Sequence, residues 1–402
     1  MTEQYYIRKI TESCVKQVIE DIGFDKGYIS KAVSKYNYIL LKIHNLSCPQ
    51  ASILKQLALS VGADAAVHRE VITCKIDKTD ILLGCTHAQL KILGEKLKYQ
   101  PFKLNNLSIL LLDQITKKPI PIKIRETIFD WDKKTYIMGI LNITPDSFSD
   151  GGRFIDPDNA VKQAEKLIED GADIIDIGGE STRPFSKAVA PDEELKRVIP
   201  VIKKIRELNT SIPISIDTRH AIVAKQAVEN GADIINDVSG LKWDPEMGKV
   251  AVDLNVPVIL MHSISNPEEM QINPEYSKNI IDAITKELYD ITKNAVESGV
   301  KPENIIIDPG IGFGKTLEHN LEIIKRISEF ESLGFPILVG VSRKSVIGNI
   351  LNLPPEEREE ANISLGTYLA SNGANIIRIH DVKKHFRAFK VLDKVIKENI
   401  NI

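Results

Sequence analysis

Polar residues recur at the ends of apolar, β-branched runs in the last two thirds of this 402-residue sequence. Asn142 closes YIMGILN (136 to 142), Ser181, Thr182 and Arg183 follow DIIDIG (173 to 178), and Asp217 closes PISID (213 to 217). Asn236 lies in DIIND (233 to 237), His262 follows PVILM (257 to 261), and Asp308 closes NIIID (304 to 308). Ser342, Arg343 and Lys344 follow PILVG (336 to 340), and NIIRI (375 to 379) carries Arg378 with His380 behind it. Any single member is explained as a cap or turn residue. Repeated after every run, they converge on one mouth if the runs are parallel strands. Asp217, Asn236 and Asp308 then suit a flat heterocycle with an amino group beside ring nitrogens, because a carboxylate accepts two hydrogen bonds from a guanidine-like edge. Lys344, at a helix N-terminus, can meet a carbonyl and ring nitrogen on the other edge. Arg183, Arg378 and His380 are cations for an anion such as a diphosphate. Asn142 is an oxygen ligand for a hard cation, and Mg²⁺ commonly binds through one protein ligand plus phosphate oxygens.

The elements that must hold these groups are short strands alternating with longer amphipathic stretches, the pattern of repeated βα units. Eight strand-helix pairs from Tyr136 onward predict a (β/α)8 TIM barrel. An echo supports it: EDGADIIDIG at 169 to 178, ENGADIINDV at 229 to 238 and SNGANIIRIH at 371 to 380 each read as a helix ending at a C-cap glycine, Gly171, Gly231 or Gly373, before a buried strand. A doubly wound sheet uses the same local pieces and is the competing architecture. The segments TPDSFSDGGRF (144 to 154) and GGESTRPFSKAVAP (178 to 191) carry Gly151, Gly152, Gly178 and Gly179 and read as loops able to close over a ligand. DPGIGFGKT (308 to 316) lacks the spacing of a P-loop, so it does not predict nucleotide binding.

Residues 1 to 130 read as a separate small α+β domain ahead of a barrel over 131 to 402. YILLKI (38 to 43), a helix from about Pro49 to Ser60, AAVHREVITCKI (65 to 76), DILLGC (80 to 85), the helix HAQLKILGEKLK (87 to 98) and LSILLL (107 to 112) give a βαββαβ order, ferredoxin-like in type. The polar stretch 115 to 134 reads as the connection. Nothing in the small domain looks catalytic.

Composition narrows the function classes. The chain is 43% apolar and 27% charged, and 52 Lys plus Arg against 55 Asp plus Glu leave a charge of −3, which argues against a nucleic-acid binder and against an acidic disordered tail. The apolar runs are strand-sized, so no membrane partner is expected, and the N-terminus has no secretory pattern, which makes the expected location cytoplasmic. Cys14, Cys48, Cys74 and Cys85 are expected as free thiols; with no C-x-x-C pair, a zinc site around Cys74, Cys85, His68 and His87 is disfavoured.

MGILNITPDSFSDGG (138 to 152) and GADIIDIGGESTRP (171 to 184) resemble the two signatures of the dihydropteroate synthase family, and SIDT, INDVSG, ILMH, DPGIGFGKT, GVSRKS and RIHDV extend the likeness over residues 135 to 395. The resemblance implies a transferase of folate biosynthesis that condenses 6-hydroxymethyl-7,8-dihydropterin diphosphate with 4-aminobenzoate, with Mg²⁺, commonly as a homodimer and a sulfonamide target. It implies pterin binding by Asp217, Asn236, Asp308 and Lys344, and Mg²⁺ and diphosphate binding by Asn142 with Arg378 and His380. Phe148 and Asp150 in the first loop, Thr182, Arg183 and Pro184 in the second, and Phe313 and Ser345 would form the aminobenzoate side. Two departures stand out. Phe185 follows Pro184 where the family usually has glycine, and is expected to change the fit of sulfonamide mimics more than that of the substrate. His262-Ser263 replaces a common His-Asn pair, which leaves His262 outside the catalytic set. A pterin-dependent methyltransferase shares the barrel and the Asp/Asn row but has no need of Lys344 or the Arg378/His380 clamp. A non-catalytic pterin-binding protein is disfavoured because the family's catalytic positions are intact.

Overall fold

The structure is a computed structural model that describes residues 6–143, 157–180, 189–264, 276 and 279–397. The chain divides into two compact units, Met1–Lys117 and Lys118–Ile402.

In the first unit the order is α1 (Val15–Asp21), α2 (Ile29–Val33), β1 (Tyr38–Ser47), α3 (Cys48–Ser60), β2 (Asp64–Val67), β3 (Lys78–Thr86), α4 (His87–Leu97) and α5 (Leu104–Thr116). The strands form an antiparallel sheet of order β1-β3-β2, and Leu54, Leu83, Leu90, Leu93 and Leu97 fill its core. Helices α3 and α4 start at capping boxes, Ser47 with Gln50 and Thr86 with Gln89, which satisfy otherwise orphan amides. Two expectations are corrected. The run 65 to 76 is a strand only as far as Val67, then a 3-10 turn at Arg69–Val71. The run 107 to 112, expected as a sixth-element strand, lies inside α5, so the ferredoxin-like order holds only through its fifth element. The apolar residues of 107 to 112 gave a strand reading because a short apolar run has no decisive period. Burial of Leu104, Ser108 and Leu111 follows helical spacing, and Gly94 lets α5 approach α4, since a Cβ there would lie 2.6 Å from Leu112.

The second unit opens with the hairpin β4 (Ile122–Ile124) and β5 (Thr127–Phe129), inside the stretch expected as a connection. The barrel strands and helices follow in alternation: β6 (Tyr136–Asn142), α6 (Pro157–Glu169), β7 (Ile174–Gly178), α7 (Pro191–Leu208), β8 (Ile214–Asp217), α8 (Ala221–Glu229), β9 (Ile234–Asp237), α9 (Met247–Leu254) and β10 (Val258–Met261). After these come α10 (Ile280–Glu297), β11 (Ile305–Asp308), α11 (Leu317–Lys325), β12 (Leu338–Gly340), α12 (Ser345–Leu351), α13 (Glu359–Ser371), β13 (Ile376–Ile379) and α14 (Val382–Ile396). The eight strands β6 to β13 are parallel neighbours, and a parallel bridge between Ile307 and Ile337 closes β11 onto β12. This is the TIM barrel, and an open doubly wound sheet is ruled out by the closure.

The period of two along each strand sorts its residues. Outward side chains such as Ile175, Ile177, Ile214 and Ile216 pack under the helices, while Met138, Ile174, Ile234, Ile259, Ile306, Leu338 and Ile376 fill the lower interior. Ile122, Ile124, Phe129 and Trp131 join that lower layer, so the hairpin plugs the N-terminal end of the barrel and belongs to it rather than to a linker. One step of two higher, Asp176, Asn236, Asp308 and Arg378 make four of these seven inward positions polar.

The sequence echo has a physical basis. Gly171, Gly231 and Gly373 have φ of +104, +119 and +105°, and a Cβ at Gly171 would meet the Phe386 ring at 2.5 Å. Two residues on, Asp173 accepts from the amide of Ile137, Asp233 from that of Ile214 and Asn375 from that of Ile337. The repeated Gly-Ala-Asp/Asn frame therefore sets the start of three strands in register with their neighbours.

Candidate active site

Strand register brings the polar layer together at the C-terminal mouth. Asp176 and Gly178 on β7 stand beside Ser215 and Asp217 on β8, Asp217 pairs with Asn236 on β9, and Asn142 on β6 pairs with Gly178. Arg378, two residues above the apolar Ile376, bridges two carboxylates: its Nε donates to Asp176 Oδ2 at 2.6 Å and a terminal nitrogen to Asp217 Oδ2 at 2.7 Å. Asn236 Nδ2 lies 3.4 Å from both oxygens of Asp176. Asp176 is fully buried and is not among the site residues expected from sequence, since a lone acid between isoleucines resembles a packing exception. The alternation Ile174, Asp176, Gly178 was the available signal.

The network leaves one acceptor over. Asp217 Oδ1 is buried and has no hydrogen-bond partner. Burial pushes the Asp217 carboxyl up to about 7, although the Arg378 guanidinium opposes this. Asp308 is also raised by burial, with Lys344 the chief opposing charge, and its Oδ1 accepts from the Gly310 amide at 2.7 Å. Lys344 is lowered by burial to about 8; its ammonium donates to the Ile311 carbonyl and stands 4.5 Å from the Phe313 ring centroid. Arg343, just before it, has φ of +61°, a conformation that costs a non-glycine residue roughly 1 kcal/mol and turns the chain sharply at the end of β12. His380 Nδ1 lies 2.9 Å from Ser342 Oγ, tying the ends of β13 and β12. Ser345 begins α12 and is exposed at the rim.

Two glycines keep the mouth open. A Cβ at Gly178 would lie 3.7 Å from Asn142 Oδ1 and 3.8 Å from Asp217 Oδ2; one at Gly340 would lie 3.7 Å from Lys344 Nζ and 3.8 Å from Arg378. Those are ordinary contact distances, so an added methyl would occupy ligand space without straining the fold. Gly178→Ala is expected to leave the melting temperature unchanged and to raise KM for the heterocyclic substrate about tenfold, since small misplacements at a site cost that much. Steady-state kinetics beside a melting curve check it.

A second cluster bounds the second loop. Glu180, before it, receives a two-point ion pair from Arg219 at 2.8 and 3.2 Å and accepts from the amide of Val189, beyond it, at 3.1 Å. Arg219 lies over the Trp243 ring at 4.2 Å. These groups, too, were not foreseen. Asn142, Asp217, Asn236, Asp308, Phe313, Lys344, Ser345, Arg378 and His380 are thus all placed on the mouth side of the strands. Phe148, Asp150, Thr182, Arg183, Pro184 and Phe185 lie outside the described residues.

Comparison with known proteins sharpens the picture. Residues 138–380 match the family described as pterin binding enzyme. A dihydropteroate synthase from Clostridium beijerinckii is 49% identical over 277 residues, which are 69% of this chain and all of the relative. A probable bifunctional folylpolyglutamate synthase/dihydropteroate synthase from Halobacterium salinarum is 41% identical over 348 residues, 86% of this chain and 41% of that protein, a span that reaches into the first unit. Among solved structures, dihydropteroate synthase from Clostridium difficile in the presence of pteroic acid is similar at 45% identity with a TM-score of 0.64, over 67% of this chain and 100% of that one.

Proposed function

This chain belongs to the pterin binding enzyme family, and from that membership we propose which of its residues carry out the family reaction, dihydropteroate synthesis. The transferase condenses 6-hydroxymethyl-7,8-dihydropterin diphosphate with 4-aminobenzoate: the amine nitrogen bonds to the pterin methylene, the carbon–oxygen bond to diphosphate breaks, and the amine gives up a proton.

The observation that carries the assignment is the unpartnered Asp217 Oδ1 inside a mouth kept open by Gly178 and Gly340. A buried acceptor without a donor is costly unless a ligand supplies one. The aminopyrimidinone edge of a pterin supplies N–H donors for Asp217 and Asp308, Asn236 reads the ring between them, and Lys344 faces the carbonyl and ring nitrogen. Arg378 and His380 hold the diphosphate. Asn142 supplies a hard oxygen beside the Gly178 gap, which fits Mg²⁺ shared with diphosphate oxygens; bound there, the ion would neutralise the leaving group. The reaction needs stabilisation of departing charge more than a strong base, and an oriented set of cations meets that need. Asp150, Phe148, Thr182, Arg183, Pro184, Phe313 and Ser345 complete the aminobenzoate side in this reading.

The direct test is diphosphate release with Mg²⁺, with and without 4-aminobenzoate, for wild type and Lys344→Ala. Release with dihydropteroate formation, lost in the variant, is expected. Tight pterin binding without release would overturn the assignment in favour of a methyltransferase or a binding protein.

A pH dependence follows from the two shifted groups. Ionised Asp217 offers both oxygens as acceptors, whereas protonation turns one of them into a donor, so pterin affinity rises as pH climbs through about 7. Lys344 acts only as an ammonium, so affinity falls as pH passes about 8. The expected profile is a narrow bell with its maximum between those values, measured by pterin fluorescence titration at constant ionic strength. A flat profile across that window would contradict both roles.

The protein is further taken to act as a cytoplasmic homodimer. Four free thiols suit a reducing compartment, and exposed Leu321, Ile350, Leu351 and Tyr368 on α11 to α13 offer apolar surface for pairing. The first unit serves as an interaction or oligomerisation module in this reading, with a regulatory small-molecule site as the second possibility. Deletion of residues 1 to 117 is expected to change the sedimenting mass while turnover persists. Deletion to 130 would also remove Phe129 and the hairpin plug, and is expected to lower barrel stability by several kcal/mol.

A further inference from the structure

DPGIGFGKT and His262 stand out in the sequence, yet the assignment above uses neither Lys315 nor the imidazole. Lys315 is 3% exposed and His262 1%. The three protons of the Lys315 ammonium face three acceptors: His262 Nδ1 at 3.0 Å, the His262 carbonyl at 3.3 Å and the Phe313 carbonyl at 2.9 Å. A lysine so saturated has no proton left for a substrate. Because His262 Nδ1 accepts, its Nε2 carries the proton and donates to Glu287 Oε2 at 3.2 Å. Lys242 reaches the other Glu287 oxygen at 2.5 Å and the Ser263 carbonyl at 2.6 Å, anchoring the chain of contacts near the surface.

The other end of this chain lies under the substrate edge. The amide of His262 donates to the carbonyl of Asp308, and a Cβ at Gly310 would sit 2.0 Å from the His262 carbonyl and 3.2 Å from Lys315 Nζ. The turn from 309 to 314 is thus wrapped directly onto Lys315. Asn320 clasps the same turn, accepting from the Gly312 amide and donating to the Thr316 carbonyl. Burial lowers Lys315 to about 7, and Lys344 and Lys242 add to that; Asp308 is the main charge that opposes it and holds the proton on, with Glu287 second. Asp308 is thus acted on by two lysine charges, Lys344 and, more weakly, Lys315.

We infer that Lys315 is a positioning residue for the pterin edge: its buried ammonium fixes the 309–314 turn that leads out of Asp308 and carries Phe313, with His262 and Glu287 holding it in place. The inference rests on the pterin reading. Neutralising Lys315 leaves a buried carboxylate with one counter-charge fewer, which favours its protonated form and replaces an acceptor by a donor.

The test uses the full-length protein and 6-hydroxymethylpterin without diphosphate, followed by its fluorescence, so that the diphosphate clamp plays no part. Lys315→Met is expected to weaken pterin binding at least tenfold and to raise KM for the pterin diphosphate in proportion, with KM for 4-aminobenzoate changed less than twofold. Glu287→Gln, at a half-exposed position that spares the fold, is expected to weaken pterin binding about threefold, because a carboxamide cannot accept from both His262 and Lys242. A folded Lys315→Met that binds pterin like the wild type would overturn the inference, as would equal rises in both KM values. Should Lys315→Met not fold, unchanged pterin binding by Glu287→Gln would overturn it. Failure of the wild type itself to bind pterin would overturn the pterin reading and this inference with it.

Discussion

Replacing Arg378 by methionine should abolish dihydropteroate formation, with kcat/KM down by about 10³-fold or more, and should destabilise the barrel as well. The guanidinium is the shared partner of two buried carboxylates, Asp176 at 0% and Asp217 at 4% side-chain exposure. Removing one member of a buried ion network typically costs 3–5 kcal/mol, because the charges left behind have lost their water and gained nothing. The catalytic loss has a separate origin: the cation that meets the diphosphate, and that aims Asp217, is gone. Adding Asp176→Asn to the variant separates the two effects. Melting temperature should recover in large part in the double variant, since one stranded charge is removed, while turnover stays lost. If Arg378→Met kept more than a tenth of wild-type activity, the diphosphate role of Arg378 would be wrong.

The second large effect concerns Glu194, which sits on α7 away from the reacting atoms. The side chain is fully buried, the Thr218 side chain is the one neighbour among the described residues that offers its carboxylate a proton, and Glu180 and His220 offer ligand atoms within 4.8 Å of it. Burial pushes the carboxyl up to about 8; the Thr218 side chain opposes this, while Glu180 and Asp217 add to it. A group whose pKa is higher in the folded than in the unfolded chain binds more protons when folded, so it costs stability as pH rises from the ordinary glutamate range towards 8. At one pKa unit per 1.36 kcal/mol, and allowing for relaxation, the penalty at high pH is on the order of 3 kcal/mol. Glu194→Gln should therefore raise the melting temperature by roughly 6–10 °C at pH 8.5 and leave it nearly unchanged at pH 5. Equal shifts at both pH values would mean that packing, not charge, governs the position. A Cβ at Gly179 would lie 2.9 Å from Glu194 Cγ and 2.8 Å from Val198 Cγ1, so glycine is what lets the end of β7 pass so close to α7.

Asp217, Asn236, Asp308, Lys344 and Arg378 were readable in the sequence because a parallel strand ends where its β-branched run ends, and the polar residue at that end has only the barrel mouth to face. The eight strands and their C-cap glycines were readable for the same local reason: apolar run length, turn chemistry and left-handed glycines act within a few residues. Asp176 escaped because its strand neighbours are isoleucines, and a single acid in an apolar run looks like a packing exception until register places it against Arg378, 202 residues later. The run at 107 to 112 was misread because a short apolar stretch fits a strand or a helix equally well, and only Gly94 and the packing of α4 decide for α5.

The sequence by itself determined the family, the barrel, and the identity of most groups at its mouth, since these depend on local pattern and on motif order. Tertiary structure alone decided which of those groups hold one another: Arg378 with Asp176 and Asp217, Lys315 with His262, Glu180 with Arg219. The same holds for the hairpin at 122 to 129, polar enough in sequence to pass for a linker, which becomes the floor of the barrel once Phe129 and Trp131 find its interior. Burial and the ionisation it shifts are properties of neighbours brought together from distant parts of the chain. They emerge only when strand register removes water from charges that the sequence had merely listed in order.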